Sequence, residues 1–533
     1  MWPCKNEGED ARLYSACQAI SDFAIALGIN VPTGKDSLSM AQKYKDETVL
    51  APGTVVVSAV GGVSDIRKII EPVVQPAAGS LYYVDMSRTD LLLGGSSYAQ
   101  VHNKVGTQAP TVADADYFAL TFNTVQRMID DGLIAAGHDI SAGGMVTALL
   151  EMCFAERQTG LLVHAATLVQ QYGLMQALFA ENPGIVLQAQ DDRQVEDYLA
   201  AAGVDYLKVA TVMPGQELRI DTGGDPIVID IATARDVWYE TSFLMDDQQT
   251  ADGLAVQRYD NYKAQPLDYN FPAHFDGKLP ARPGDRPRAA VIREKGSNSE
   301  RELANALYRA GFDVVDVHMT DLISGREALQ DIQFLGAVGG FSNSDVLGSA
   351  KGWAGSFLYN ERANKALKDF FARPDTLSVG ICNGCQLFLE LDLINPEHDH
   401  LSKMRHNLSG KHECQFTSVQ IQDSNSVMLR GLAGTTLGVW ISHGEGRFDL
   451  PMPASDYNIA ATYGYETYPA NPNGSDYNAA MLCSADGRHL ATMPHLERST
   501  YPWNWAYYPA DRVDEVSPWL QAFVNARDWL LSK

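Results

Sequence analysis

Apolar and polar positions alternate in distinct ways along this 533-residue chain. Leu13, Ala16, Cys17 and Ile20 recur at helical spacing, predicting a helix over about 11–27. Thr54-Val-Val-Val-Ser-Ala-Val60 is β-rich and ends at Gly61-Gly62, which reads as a strand. So few elements before residue 75 cannot bury a sheet face, and the expectation is an incomplete subdomain whose true start lies upstream of Met1. Apolar surface left bare there would favour a partner chain or aggregation. Leu81-Tyr-Tyr-Val-Asp85 opens a second region as a strand, and Val146 to Ala155 follows as an apolar helix. Residues 246–288 lose periodicity and carry Pro266, Pro272, Pro280, Pro283 and Pro287, the pattern of a linker.

From Ala289 strands and helices alternate. Ala290–Arg293, Val314–Met319, Phe334–Val338 and the segment up to Ile381 read as strands. Leu303, Ala306, Leu307 and Ala310 mark one helix face, with Ser299 and Glu302 as a capping box and Gly311 as the stop. A further helix is expected over about 353–371. The order predicts a doubly wound parallel sheet. The expected division is 1–75, 76–245, a linker at 246–288, and 289–533.

Charge and composition narrow the class. Hydrophobic residues are 45% and charged residues 20%, ordinary for a globular chain. A net charge of -25 repels phosphate backbones, so no nucleic acid is expected as partner. No apolar run is long enough to span a bilayer, so no membrane is expected. Seven cysteines in such a chain are no disulfide framework, and the expected location is cytoplasmic.

The chemistry centres on Thr376-Leu-Ser-Val-Gly-Ile-Cys-Asn-Gly-Cys-Gln386, a strand, a tight turn and a helix with Cys382 at the turn. A helix start beside the cysteine favours thiolate. Gly380 and Gly384 flank it where side chains would clash. Backbone N–H groups at Asn383, Gly340 and Phe341 are candidate oxyanion donors. Downstream, His495 and Glu497 stand at i, i+2, and in an extended segment both point one way. Cysteine, histidine and carboxylate in that order suggest a triad for amide hydrolysis. Cys382-x-x-Cys385 also admits a redox pair, a zinc site with His406, His412 and Cys414, or two structural cysteines. Upstream, the glycine-rich turn at His138-Asp-Ile-Ser-Ala-Gly-Gly144 is a candidate phosphate or capping site at Ser141.

Taken together, Gly339-Gly-Phe-Ser-Asn-Ser-Asp-Val-Leu-Gly348, Gly380–Gln386, Ser442-His-Gly-Glu-Gly-Arg447, Glu466–Ser475 and Pro494-His-Leu-Glu-Arg498 resemble a class I glutamine amidotransferase domain. With Gly34-Lys-Asp-Ser-Leu-Ser-Met40 and His138–Gly144, they are similar to the phosphoribosylformylglycinamidine synthase family in its large single-chain form, over nearly the whole chain. The resemblance implies a truncated α+β domain like aminoimidazole ribonucleotide synthetase, followed by a doubly wound α/β glutaminase domain. It implies Cys382 as nucleophile, His495 as acid and base, Glu497 as its orienting partner and Cys385 as structural. It further implies a magnesium ligand at Asp139, an ATP contact at Ser141, and synthetase-motif positions at Lys35, Asp36 and Ser37. Glutamine and formylglycinamide ribonucleotide are the implied substrates, in purine biosynthesis, with ATP and Mg2+ as cofactors. A missing N-terminal synthetase half is the implied partner, in the same or a separate chain. Leu496 departs from the family's usual proline without removing a reacting atom. The alternative reading is a non-catalytic or partner-dependent glutamine-binding fragment.

Overall fold

The computed structural model describes every residue of the chain except Arg157, Asp252, Pro266, Arg282 and Pro283. The expected linker prolines Pro266 and Pro283 therefore lie outside the described residues. The chain divides into two compact units, Met1–Tyr239 and Glu240–Lys533. Among the described residues, no helix is long and apolar enough to cross a membrane.

The first unit carries a seven-stranded mixed sheet. Its order is Ile134–Asp139, Gly184–Ala189, Leu81–Asp85, Leu207–Pro214, Thr159–His164, Glu217–Asp221, Ile227–Asp230. Pairing is antiparallel except between Thr159–His164 and Glu217–Asp221. Strand side chains alternate between faces. Tyr82 and Val84 pack with Val125 and Met128 of helix Ala115–Asp130, whereas Leu81 and Tyr83 pack with Met145, Leu149 and Met152 of helix Gly144–Phe154.

The first seventy residues behave differently. The expected helix forms as Glu9–Ala26, but none of its side chains is buried. The strand expected at 54–60 does not form, and Val56, Val57 and Val60 are exposed. β-Branched residues suit a pleated surface, yet a strand exists only when neighbours take its N–H and C=O groups. Among the described residues before Ile66, the only strands are Ala41–Lys43 and Thr48–Leu50, which pair with each other, beside one isolated bridge between Pro3 and Ser39.

The second unit is built on a nine-stranded sheet. Asp313–His318, Arg288–Arg293, Phe334–Ala337, Leu377–Ile381 and His489–Thr492 run parallel in that spatial order. The parallel core matches the doubly wound expectation. Beyond it Ala479–Cys483, Asn458–Tyr463, Glu413–Ile421 and Thr436–His443 extend the sheet antiparallel. Leu303, Ala306, Leu307 and Ala310 are buried as their spacing predicts, and Gly311 closes that helix at φ 102°. The helix expected over 353–371 is two, Lys351–Leu358 and Glu361–Ala372. Asn360 interrupts it, and its side chain accepts from the Ala363 N–H to start the second helix.

The stretch read as a linker is packed. Tyr269, Phe271 and Phe275 lie against the core of the second unit, Asn270 pairs with Thr436, and Leu254–Asn261 is a helix. Regular aromatic periodicity is not needed when each ring fills its own gap.

Candidate active site

Strand Leu377–Ile381 delivers Cys382 to the start of helix Asn383–Glu390 at φ 52°, ψ −105°. A residue with a Cβ pays strain there, as at a nucleophile elbow. The neighbours leave it no other path. A Cβ on Gly380 would run into the carbonyl of Gly384, and one on Gly384 into the carbonyl of Ala337. The Cys382 N–H donates to Thr492 O at 2.8 Å, and its thiol to Ser442 O at 3.4 Å.

His495 arrives from the neighbouring parallel strand. Its N–H donates to Trp440 O at 2.8 Å, and Leu496–Arg498 forms a single 3-10 turn. That turn, rather than an extended segment, brings Glu497 back to the imidazole, with Nδ1 2.6 Å from Oε1. A proton on Nδ1 is directed to the carboxylate, which leaves Nε2 as the ring's other nitrogen on the side of Cys382. Among the described residues, Nε2 is buried and meets no partner at full hydrogen-bond geometry, with Cys382 the side chain that approaches the ring. A Cβ on Gly339 would stand 2.9 Å from His495 Cε1 and 3.4 Å from Cys382 Cβ, so both side chains converge on this glycine.

Electrostatics reinforce the geometry. Burial works to lower the His495 pKa, but the Glu497 carboxylate and the Cys382 side chain outweigh it and raise it to about 10. For Glu497, burial pushes upward, while His495 and then Arg498 hold the carboxyl below its usual range. Imidazolium and carboxylate therefore stabilise each other in a shielded site.

The oxyanion expectation is corrected at one position. The Phe341 N–H donates to Gly296 O at 2.9 Å and is not free for a ligand. Among the described residues, the Gly340 and Asn383 N–H groups meet no protein acceptor. Gly340 sits at φ 110° and packs so closely on Ser297 and Asn298 that a Cβ would clash. Ser299 does not cap its helix. It adopts φ 74°, and its hydroxyl accepts from the Gly339 N–H at 3.3 Å.

His443 was given no role by sequence reasoning. Its Nδ1 is 3.2 Å from Asn407 Oδ1, and burial, with the charges of His495 and His412, pushes its pKa down to about 3. It is neutral beside the site. Its only sequence signal was the Ser442–Arg447 motif. Cys385 is wholly buried, and burial raises its thiol well above the ordinary value, in keeping with a structural cysteine. A cavity of about 410 Å³, lined by Trp440, Tyr501, Trp503 and Arg498 among others, borders His495 and Glu497.

The upstream residues are arranged more loosely. Asp139 ends strand Ile134–Asp139 with an exposed carboxylate, 3.5 Å from His138 Nδ1. Ser141 is exposed and does not cap helix Gly144–Phe154, whose cap position is Gly143 at φ 90°. The Gly143 N–H donates to Glu181 Oε1 at 2.8 Å, so that donor is already taken. Lys35 Nζ donates to Ser37 Oγ and to the Asp36 carbonyl, in an exposed segment. Among the described residues, no three His, Cys, Asp or Glu side chains gather as a metal site. One open carboxylate with an open hydroxyl two residues along the chain still fits magnesium that keeps waters and takes phosphate ligands.

Comparison with known proteins follows the same division. Residues 286–530 match the CobB/CobQ-like glutamine amidotransferase domain, residues 84–223 the C-terminal domain of AIR synthase related proteins, and residues 1–62 the FGAR-AT PurM_N-like domain. The human phosphoribosylformylglycinamidine synthase is 39% identical over 570 residues, covering 100% of this chain and 42% of that protein. A probable phosphoribosylformylglycinamidine synthase of Arabidopsis thaliana, named chloroplastic/mitochondrial, is 39% identical over 567 residues, covering 100% of this chain and 40% of that protein. The chain thus spans about two fifths of the length of these curated relatives. The solved PurLQS of Thermotoga maritima is 23% identical, covers 46% of this chain and 99% of that chain, and has a TM-score of 0.36.

Proposed function

The chain belongs to the phosphoribosylformylglycinamidine synthase family, and on that premise we propose that its second unit releases ammonia from glutamine for amidine formation. The observation that carries the reading is the convergence of Cys382 and the His495–Glu497 pair on Gly339.

In this reading His495 Nε2 takes the Cys382 thiol proton as the sulfur attacks the carboxamide carbon of glutamine, and the Gly340 and Asn383 N–H groups receive the oxyanion. His495 protonates the departing ammonia from Nε2, and a glutamyl thioester remains on Cys382. His495 then takes a proton from water, which cleaves the thioester to glutamate and restores the thiol. Glu497 stays ionised throughout and stabilises the imidazolium, as the aspartate of a serine triad does.

The whole reaction, ATP-dependent conversion of formylglycinamide ribonucleotide to its amidine, is proposed on the names of the relatives. ATP with Mg2+ supplies activation of the amide oxygen when bound. Asp139 would take the metal and Ser141 a phosphate; Lys35, Asp36 and Ser37 are proposed for the same nucleotide side, supported by motif resemblance alone. No step of the glutaminase chemistry passes through these groups.

Glutamate release from glutamine by the chain, compared with Cys382→Ala, tests the reading. Release abolished in the variant is expected. Release that persists in a folded Cys382→Ala protein overturns it.

A further inference from the structure

Arg498 stands outside the three residues of the proposed chemistry, yet it touches two parts of the site. Its Nη2 donates to Asn298 Oδ1 at 2.7 Å. The Asn298 N–H in turn donates to Gly339 O at 2.8 Å, and Gly340 packs on the Ser297–Asn298 backbone. On its other side, Arg498 Nε lies 3.9 Å from Glu497 Oε1 and 3.6 Å from Glu302 Oε1. Glu497 is fully shielded, and among the described residues its Oε2 is buried with no side-chain hydrogen-bond partner. Among the described residues, the cations that act on it are the His495 imidazole and Arg498.

We propose that Arg498 is a positioning residue that tethers the Glu497 carboxylate to the loop carrying the Gly340 oxyanion donor, so that base and oxyanion site keep one geometry. The proposal rests on the glutaminase reading of Cys382, His495 and Glu497. A planar fork suits the task, because one guanidinium serves an amide oxygen and a carboxylate in different directions, which an ammonium on a flexible stem does less well. The charge of Arg498 also helps keep Glu497 ionised. Among the described residues, the other titratable groups that face the pair are Cys382 at the elbow, His443 on the antiparallel strand, and Cys414, Tyr501 and Glu302, which line the cavity beside it. Glu302 is nearly half exposed and draws the guanidinium outward, so it opposes the tether rather than replacing it.

The test is Arg498→Met in the full chain, read by hydrogen exchange and by glutaminase kinetics. Exchange is expected to quicken at 294–299 and 339–341 and to stay at the wild-type rate in the first unit. The glutaminase kcat is expected to fall about tenfold, a modest share of what an oxyanion donor contributes, with KM nearly unchanged. The acid limb of the pH profile should move up by about one pH unit, a tenfold change in the proton equilibrium of the Glu497–His495 pair. Arg498→Lys should restore the acid limb but not kcat, since it keeps the charge and loses the fork. Should Arg498→Met fail to fold, Arg498→Gln, which retains a donor for Asn298, carries the acid-limb test. A folded Arg498→Met protein with wild-type exchange at 294–299 and 339–341 overturns the tether, whatever its activity. Absence of glutamate release by the wild-type chain would count against the glutaminase reading alone, and the exchange comparison would still decide the role of Arg498.

Discussion

His495 Nδ1 lies 2.6 Å from Glu497 Oε1 across a single 3-10 turn, with both side chains almost wholly shielded from solvent. Charge-assisted bonds of this kind are short and strong in a dry site. The shared turn means that neither residue depends on a distant element for the contact.

Replacing Glu497 by Gln keeps the shape and removes the charge. The glutaminase kcat should fall by about ten-thousandfold, on the scale of neutralising a triad carboxylate, with KM changing little. The His495 pKa, held near 10 largely by Glu497, should drop toward the ordinary histidine range of about 6.5. A pH–rate profile of Glu497→Gln would show the basic limb shifted down. A basic limb left in place would mean that Glu497 does not set the protonation of His495.

The same pair links stability to pH. The His495 pKa is raised, so its contribution is fully present below about pH 6.5 and is lost as pH rises through about 10. The Glu497 pKa is lowered, so its contribution is present above about pH 4.5 and is lost as pH falls through the depressed value. Thermal melting of wild type against a His495→Gln/Glu497→Gln double variant should show the largest wild-type advantage between about pH 5 and 6.5. That advantage should shrink by pH 10.

Cys382 occupies a backbone conformation that glycine adopts freely. Cys382→Gly and Cys382→Ala should both be inactive, but the glycine variant should be more stable than the alanine variant by about 1 kcal/mol. Denaturant unfolding of the two variants measures the difference. Equal stabilities would show that the elbow is not strained.

Gly380 and Gly384 face each other across the elbow with no room for a methyl group. Gly384→Ala, which would press on the Ala337 carbonyl, should cost about 2–3 kcal/mol or prevent folding of the second unit. A Gly384→Ala protein with wild-type melting and glutaminase activity would contradict this packing.

Arg258 sits in the segment read from sequence as a linker. It pairs with Glu413 at 3.1 Å and Asp246 at 3.5 Å and bonds Tyr468, while Lys411 also pairs with Asp246. Burial raises the Glu413 carboxyl, which makes it costly to leave alone. Arg258→Ala should destabilise the second unit by about 3 kcal/mol, because it strands a buried carboxylate. Chemical denaturation would measure this, and Arg258→Ala/Glu413→Gln should recover part of the loss.

Much of the elbow was legible in the chain itself. The β-rich run to Ile381, Gly380 and Gly384 around Cys382, and the order of cysteine, histidine and carboxylate are local or ordered features, and short-range sterics dictate what they form. The buried face Leu303, Ala306, Leu307, Ala310 and the stop at Gly311 were equally local. Other choices belonged to partners far away in sequence. Phe341 and Gly340 look alike as oxyanion donors until Gly296 claims the Phe341 N–H. Ser299 has the residues of a capping box, yet its hydroxyl turns to Gly339. Val55 to Val57 have strand propensity, yet no neighbouring strand takes their backbone groups among the described residues. Tyr269, Phe271 and Phe275 look like linker residues until the second unit's core receives them. Sequence periodicity and turn chemistry determined which segments curl or extend. Where each N–H and each ring finds its partner was decided only by the tertiary fold, because hydrogen bonds and packing contacts join groups that periodicity along the chain does not relate.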